Sequence, residues 1–327
     1  MSVERLADEV SARTAALTGL ADHLTRHDPY AALPSLLDDE PAAVVLLGVG
    51  AGHYACQAAA ERMRRAGLGA FAESAAAAHL PPGGPDTLVV AVAPGSGRRE
   101  LCESLERYAR SSVIVVLTDS PESPEARYAD VVAPLMTGGR SGGLEVVAHQ
   151  QAVALLLVLA SRLGATPPGV ADPSATLRRA ANAVTDLVER APSWVPEAVR
   201  ALEGRDGLAL VAPAELVSAA RFGALTLRRG PVLAAHACET GEWSHVDRYL
   251  AAIQDYRALL FTGSRFDERF AEHLLALRGT FVAVGGDVSG AAVSLRYPGE
   301  SDPDVRLLVD PLVSELLALH WWRRRKT

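Results

Sequence analysis

Short apolar runs alternating with helix-like stretches, in a similar order twice along the chain, constrain this sequence more than any other feature. Residues 43–48, Ala-Val-Val-Leu-Leu-Gly, are continuously apolar and too short for a helix. A strand buried on both faces of a parallel sheet needs a run of this kind. Residues 88–93, 113–118 and 130–133 repeat it, with helices predicted over 54–65 and 98–110, a helix or turn over 120–128, and a nearly all-apolar helix over 144–163. The pattern restarts with strands over 208–212 and 231–237 around a helix at 214–229. Strand 258–262, helix 266–277, strands 280–284, 291–297 and 305–309, and a closing helix from Pro311 complete it. Such alternation predicts an α/β protein whose parallel sheets are covered by helices on both faces, built twice in tandem.

A chain of 327 residues suits two domains, and 49% hydrophobic against 22% charged residues allows a large core in each. Helical spacing of Leu6, Val10, Ala15, Leu17, Leu20 and Leu24 sets an N-terminal helix within 1–29. The first domain then covers 30–165. Pro167, Pro168, Gly169 and Pro173 mark a linker that leads into a bridging helix from about Ser174 to Arg190. Linker and helix occupy 166–192, and the second domain covers 193–327.

Several classes of function are disfavoured. A net charge of −7 leaves no basic face for nucleic acid, and the run Arg323-Arg324-Arg325-Lys326 ends a helix whose dipole it complements. Three cysteines far apart make neither a disulfide framework nor a zinc site, and no metal or cofactor is expected. Lys326 is the only lysine, which disfavours imine chemistry. Met1 leads directly into acidic residues, and the longest apolar run, 152–160, is far short of a membrane span. The expectation is a cytoplasmic protein with no membrane partner.

Two kinds of motif carry the chemistry. Gly48-Val49-Gly50-Ala51-Gly52 follows the first strand and precedes a helix, a layout that points N–H groups at an anion. Its spacing is not G-x-G-x-x-G, so a dinucleotide is not indicated. The second motif is Glu239-Thr240-Gly241-Glu242-Trp243-Ser244-His245, between the run at 231–237 and a helix expected over 246–254. If that helix begins near Gly241, Glu242, His245 and Tyr249 share one face, which brings an acid, an imidazole and a phenol together for proton transfer. The same pattern also fits an exposed first helical turn whose acids the dipole favours.

Taken together, the glycine loop, the Pro94-Gly95-Ser96-Gly97 turn, the glycine-rich stretch 138–143 and the long helix ending Ala160-Ser161-Arg162-Leu163-Gly164 resemble a sugar isomerase (SIS) domain. The second half resembles another, and residues 239–245 resemble the E-x-G-E-[FWL]-x-H segment of tandem SIS proteins. These include the isomerase half of glutamine:fructose-6-phosphate amidotransferase and the fructosamine-phosphate deglycases. The resemblance implies two domains, each with a five-stranded parallel sheet flanked by helices, a homodimer, and a phosphosugar at the C-terminal ends of the strands. It also implies that a histidine at position 245 assists ring opening while a glutamate base moves the proton.

The sequence departs from that family where the phosphate is bound. Pro94 and Arg99 replace hydroxyl residues of the S-x-S-G-x-T turn, Ala51 and Gly52 replace those of the first loop, and Ser96 survives. Each lost charge-assisted bond forgoes roughly 1.5–3 kcal/mol, which Arg98 or Arg99 would partly return by pairing with phosphate. The helix expected to carry the base shows Phe222, Thr226 and Arg229 instead of the family's residues. The resulting expectation is an isomerase or deglycase-like enzyme for a sugar, phosphosugar or aminosugar, not an amidotransferase. Glu242, His245 and Glu239 are its catalytic candidates. Gly50, Ala51, Gly52, His53, Ser96, Gly97, Arg98, Arg99, Ser141 and Glu145 are its ligand-binding candidates. The alternative is a non-catalytic protein that binds a sugar derivative as a sensor or partner subunit.

Overall fold

A computed structural model describes residues 2–37, 39–95, 97–139, 143–165 and 172–326. The chain divides into two compact units, residues 15–178 and residues 1–14 with 179–327. Helix α1 (Val3–Leu24) contributes to both.

The first unit continues with a single turn α2 (Leu33–Leu36), then β1 (Ala43–Gly48), α3 (Ala51–Arg65), β2 (Ala70–Ser74), β3 (Thr87–Ala93), α4 (Arg99–Glu106), β4 (Val113–Thr118), β5 (Val131–Pro134) and α5 (Val146–Arg162). All strands are parallel in the order β2-β1-β3-β4-β5, with Val44 opposite Leu88 and Leu88 opposite Val113. The central strands are sealed because they are apolar at every position: residues 44–47 and 88–93 have no exposed surface. Leu101 and Leu105 of α4 pack with Val45, Leu47, Val89 and Val116 on one face. On the other, α3 lies close enough for Gly52 to touch Val92.

The second unit takes the start of α1 and most of α6 (Pro173–Leu202), followed by β6 (Leu208–Ala212), α7 (Val217–Arg229), β7 (Ala235–Glu239), a single turn α8 (Arg248–Ala251), β8 (Arg257–Phe261), α9 (Asp267–Ala276), β9 (Thr280–Val284), β10 (Val293–Leu295) and α10 (Pro303–Lys326). Its five strands are also parallel, in the order β7-β6-β8-β9-β10. That is the order of the first sheet. Trp243, Tyr256, Phe270 and Phe281 fill one face as a chain of edge-to-face rings.

Several elements differ from expectation. Residues 305–309 belong to α10 and not to a strand. Asp302 accepts hydrogen bonds from the amides of Asp304 (2.9 Å) and Val305 (3.3 Å), while Pro303 occupies the first turn, so the helix starts well before Pro311. Strand β2 was not anticipated: Ala-Phe-Ala-Glu-Ser is an edge strand with Phe71 exposed, and it lacks the apolar run of its neighbours. Strand β7 sits later than 231–237 and ends on Glu239. The helix expected over 246–254 is reduced to α8, and α6 extends twelve residues beyond 190 to Leu202 despite Pro192 and Pro196.

Candidate functional site

In an open parallel sheet, ligands sit beyond the carboxyl ends of the strands where the strand order reverses. In the first unit that point lies between β1 and β3, where the loops 48–52 and 94–98 leave the strands. The first loop is short. Helix α3 begins at Ala51 and not near Tyr54, with exposed Gly50 at φ 56° just before it. Ala51, Gly52 and His53 are therefore its first turn. Ala51 and Gly52 are buried, and the Ala51 carbonyl lies 3.0 Å from Nδ1 of buried His149. A Cβ on Gly52 would stand 2.9 Å from the Val92 carbonyl oxygen, so glycine permits the close approach of α3 to β3. His53 is half-buried and lies 3.0 Å from Gln57.

The turn after β3 carries amides that point outward from the strand end, and carboxylates of this same unit take them. Asp119 Oδ1 accepts from Gly95 N at 3.1 Å; Glu125 accepts from Gly97 N at 3.2 Å and from Arg98 N at 2.6 Å. Glu125 is completely buried. The Arg98 guanidinium donates to the Pro94 carbonyl at 3.2 Å and to Glu145 at 2.9 Å. Glu145 is itself buried, in the left-handed region at φ 61° immediately before α5, a conformation that costs a side chain of this type about 1–2 kcal/mol. Arg99, by contrast, is 88% exposed and pairs with Glu103. Of the ligand-binding candidates, Gly97, Arg98 and Glu145 thus meet at one turn. Ser96 and Ser141 lie outside the described residues. Glu125 and Asp119 were missed, since nothing in their spacing relates them to a turn more than twenty residues upstream.

The corresponding point of the second unit lies between β6 and β8. There Asp267 accepts from Gly263 N at 2.7 Å and Ser264 N at 3.1 Å, while its other oxygen is buried without a hydrogen bond. Burial pushes its carboxyl up to about 6, against the pull of those amides and of Arg306. Arg306 spans the ends of β8 and β9, donating to the carbonyls of Thr262 and Val284 and pairing with fully buried Asp310.

Residues 240–247 do not form a regular helix. They are successive turns, with Trp243 N and Glu242 N both turned onto the Glu239 carbonyl at 3.0 and 3.2 Å. Glu239 also caps the turn with its side chain, accepting from Glu242 N at 3.0 Å. A Cβ on Gly241 would meet that carboxylate at 2.9 Å, which explains the glycine. Glu242, His245 and Tyr249 are all exposed and do not form a buried cluster. The acid, imidazole and phenol that do meet here are Asp247, His236 and Tyr256. Asp247 shares a hydrogen bond with His236 Nε2 and accepts one from the Tyr256 hydroxyl at 2.7 Å, which in turn accepts from Trp243 Nε1 at 3.0 Å. Burial works to raise the Asp247 carboxyl, but the bonds from His236 and Tyr256 hold it below the usual range. This network ties the turn to His236 of β7 and to Tyr256, the residue just before β8, and so fixes where Glu242 and His245 emerge.

The architecture can be compared with solved structures. The C-terminal domain of glucosamine-fructose-6-phosphate aminotransferase from Francisella tularensis superposes with a TM-score of 0.83 at 15% identity, covering 99% of this chain and 96% of that one. Tagatose-6-phosphate ketose/aldose isomerase from Escherichia coli gives 0.81 at 14% identity over 99% and 95% of the two chains. The chain shares their fold. Glucosamine-6-phosphate deaminase from Thermotoga maritima is similar over 98% and 95%, with a TM-score of 0.70 at 14% identity. This is the SIS-type architecture that the sequence resemblance implies. No family model and no curated protein sequence matches the chain. Among the described residues no helix is long and apolar enough to cross a membrane, and no group of three or more His, Cys, Asp or Glu is placed to hold a metal ion.

Proposed function

We propose that this chain is a tandem SIS protein that binds a sugar derivative and interconverts it by proton transfer, with Glu242 and His245 as the acid/base groups. The observation that supports this best is where those residues stand. Both are exposed, on a turn that follows β7 and is anchored by the Asp247, His236 and Tyr256 network, in a fold shared with a tagatose-6-phosphate ketose/aldose isomerase. Glu239 acts here as a positioning residue, since its carboxylate is committed to the turn. The test is incubation in heavy water with glucose, fructose, glucosamine and their 6-phosphates. The proton next to the carbonyl is expected to exchange with one of them, and His245→Ala is expected to slow that exchange by about 10²–10⁴. No exchange with any sugar of the panel sinks the enzymatic reading.

A second reading, a non-catalytic sugar-derivative-binding protein, is supported by the carboxylates that fill the turn at 94–98. Its signature is sugar binding without exchange that persists in His245→Ala.

The protein is further proposed to act as a homodimer. Val246, Tyr249, Leu250 and Ile253, on and beside the single turn α8, are 56%, 71%, 37% and 79% exposed, close in sequence to His245 and Glu242. A second copy covering this stripe would bury large apolar side chains beside the two candidate groups. Tyr249→Glu with Ile253→Glu is expected to weaken dimerisation by about tenfold or more in analytical ultracentrifugation, because aromatic anchors dominate such interfaces. Wild-type protein that sediments as a monomer at every concentration contradicts it.

A further inference from the structure

A glycine turn joining the end of a parallel strand to a helix presents N–H groups suited to an anion. In the first unit that turn already holds anions, and they belong to the protein. Gly95 N is taken by Asp119, and Gly97 N and Arg98 N are bridged by the two oxygens of Glu125. Because Glu125 is completely buried, it is not a surface group that a ligand would brush aside. The one cation of the turn that faces inward, Arg98, is paired with Glu145, whereas Arg99 leans out onto Glu103. Among the described residues at the turn, Asp119, Glu125 and Glu145 set three carboxylates against the guanidinium of Arg98, a sum of −2. A phosphate dianion arriving there would meet the amides of Gly95, Gly97 and Arg98 already occupied, and a repulsive field from the three carboxylates. The second unit repeats the arrangement independently: the turn after β8 has its amides at Gly263 and Ser264 taken by Asp267.

We infer that Glu125, with Asp119 and Glu145, is a specificity device that rejects phosphate at the 94–98 turn, so the sugar derivative accepted there is unphosphorylated at that end. This builds on the proposed sugar-binding role but is tested without it. Binding of inorganic phosphate and glucose 6-phosphate is measured by calorimetry and by thermal shift, with no turnover required. Wild-type protein is expected to show no saturable binding of either. Glu125→Ala, which frees two amides, and Glu145→Ala, which frees Arg98, are each expected to gain phosphate affinity by at least about tenfold, as one charge-assisted contact of about 1.5 kcal/mol implies. Should Glu125→Ala fail to fold by circular dichroism, Glu125→Gln keeps one of the two acceptors while removing the charge and is expected to move affinity in the same direction.

Saturable binding of glucose 6-phosphate by the wild type, unchanged or weakened in these variants, overturns the inference. The isomerase reading fails by a separate route, through absent deuterium exchange on every sugar of the panel, phosphorylated or not. A protein that rejects phosphate yet exchanges nothing would therefore lose that reading and keep this one.

Discussion

Arg13→Leu is expected to destabilise the second unit by about 3–5 kcal/mol, the cost of stranding a buried charge. Arg13 is 1% exposed; one of its Nη atoms pairs with Glu315, which is 0% exposed, and the other donates to the Leu308 carbonyl at 2.7 Å. Leu308 adjoins Leu307, the residue whose carbonyl Pro311 deprives of its helical donor, so the guanidinium supports α10 where its ladder is interrupted. Even with Arg13 in place, burial holds the Glu315 carboxyl above its ordinary value. Without the guanidinium it rises further, so the folded variant binds a proton that the unfolded chain has already released. Its stability must then fall as pH rises from the ordinary carboxylate range toward neutrality, and the loss measured at pH 8 should exceed that at pH 5. Urea unfolding followed by tryptophan fluorescence reads this directly, because Trp194, Trp243, Trp321 and Trp322 all lie in the second unit. Arg13→Leu with Glu315→Leu should recover most of the loss. A single variant within 1 kcal/mol of wild type, roughly the worth of a solvated pair, would show that the pair is hydrated in solution.

What the sequence revealed and what it hid divide along a physical line. Strands β1, β4 and β6 have the boundaries expected of them, because a strand covered on both faces must be apolar at every position and then stops where the chain turns. The same rule misread residues 305–309. A helix buried on nearly all sides produces the same apolar run, and the deciding signal was the Asp302-Pro303 start, not the run. The edge strand β2 was invisible for the opposite reason, since one exposed side relaxes its composition. At the candidate site, the loops and the 239–245 segment could be located because glycine spacing and an acid–imidazole pair are local. Asp119, Glu125 and Asp267 could not be assigned as occupants of those loops, and neither could the Asp247, His236 and Tyr256 network. Those contacts join residues that only the folded sheet brings together: His236 reaches eleven positions along the chain and Glu125 twenty-eight positions back. The pairing of Arg98 with Glu145 was hidden on the same account, because the two lie forty-seven residues apart.

Arg306→Leu is expected to cost at least as much as Arg13→Leu, and unlike that change it should resist rescue. The Arg306–Asp310 pair is 8% and 0% exposed, so the charge left behind alone carries a penalty of about 3–5 kcal/mol. Arg306 does more than neutralise Asp310. It donates to the Thr262 carbonyl and, at 3.1 Å, to the Val284 carbonyl, pinning together the ends of β8 and β9 where the chain enters the turn that Asp267 closes. Val284 keeps the Thr262 amide (3.0 Å) and hydroxyl (3.1 Å) as donors when Arg306 is gone; the Thr262 carbonyl loses the guanidinium, and an unmet buried acceptor costs about 1–3 kcal/mol. Removing Asp310 as well takes the acceptor from the Tyr297 hydroxyl. Arg306→Leu with Asp310→Leu should therefore remain well below wild type in urea unfolding, whereas the Arg13 and Glu315 double change should not. The pH dependence separates the pairs again. Asp267, already pushed up to about 6 by burial and restrained in part by Arg306, rises further in the variant. A carboxyl whose folded value lies above its unfolded value of 3.8 favours the folded state at low pH and loses that contribution as pH rises through the window. The Arg306→Leu penalty should thus grow as pH rises above about 6, where wild-type Asp267 has released its proton and the variant's has not, and Asp267→Asn in the same background should reduce that growth to what buried Asp310, deprived of its counter-ion, contributes. If the penalty is flat across that range and the double change restores full stability, Arg306 is only a counter-ion, and the strand ends that carry the turn are held by something else.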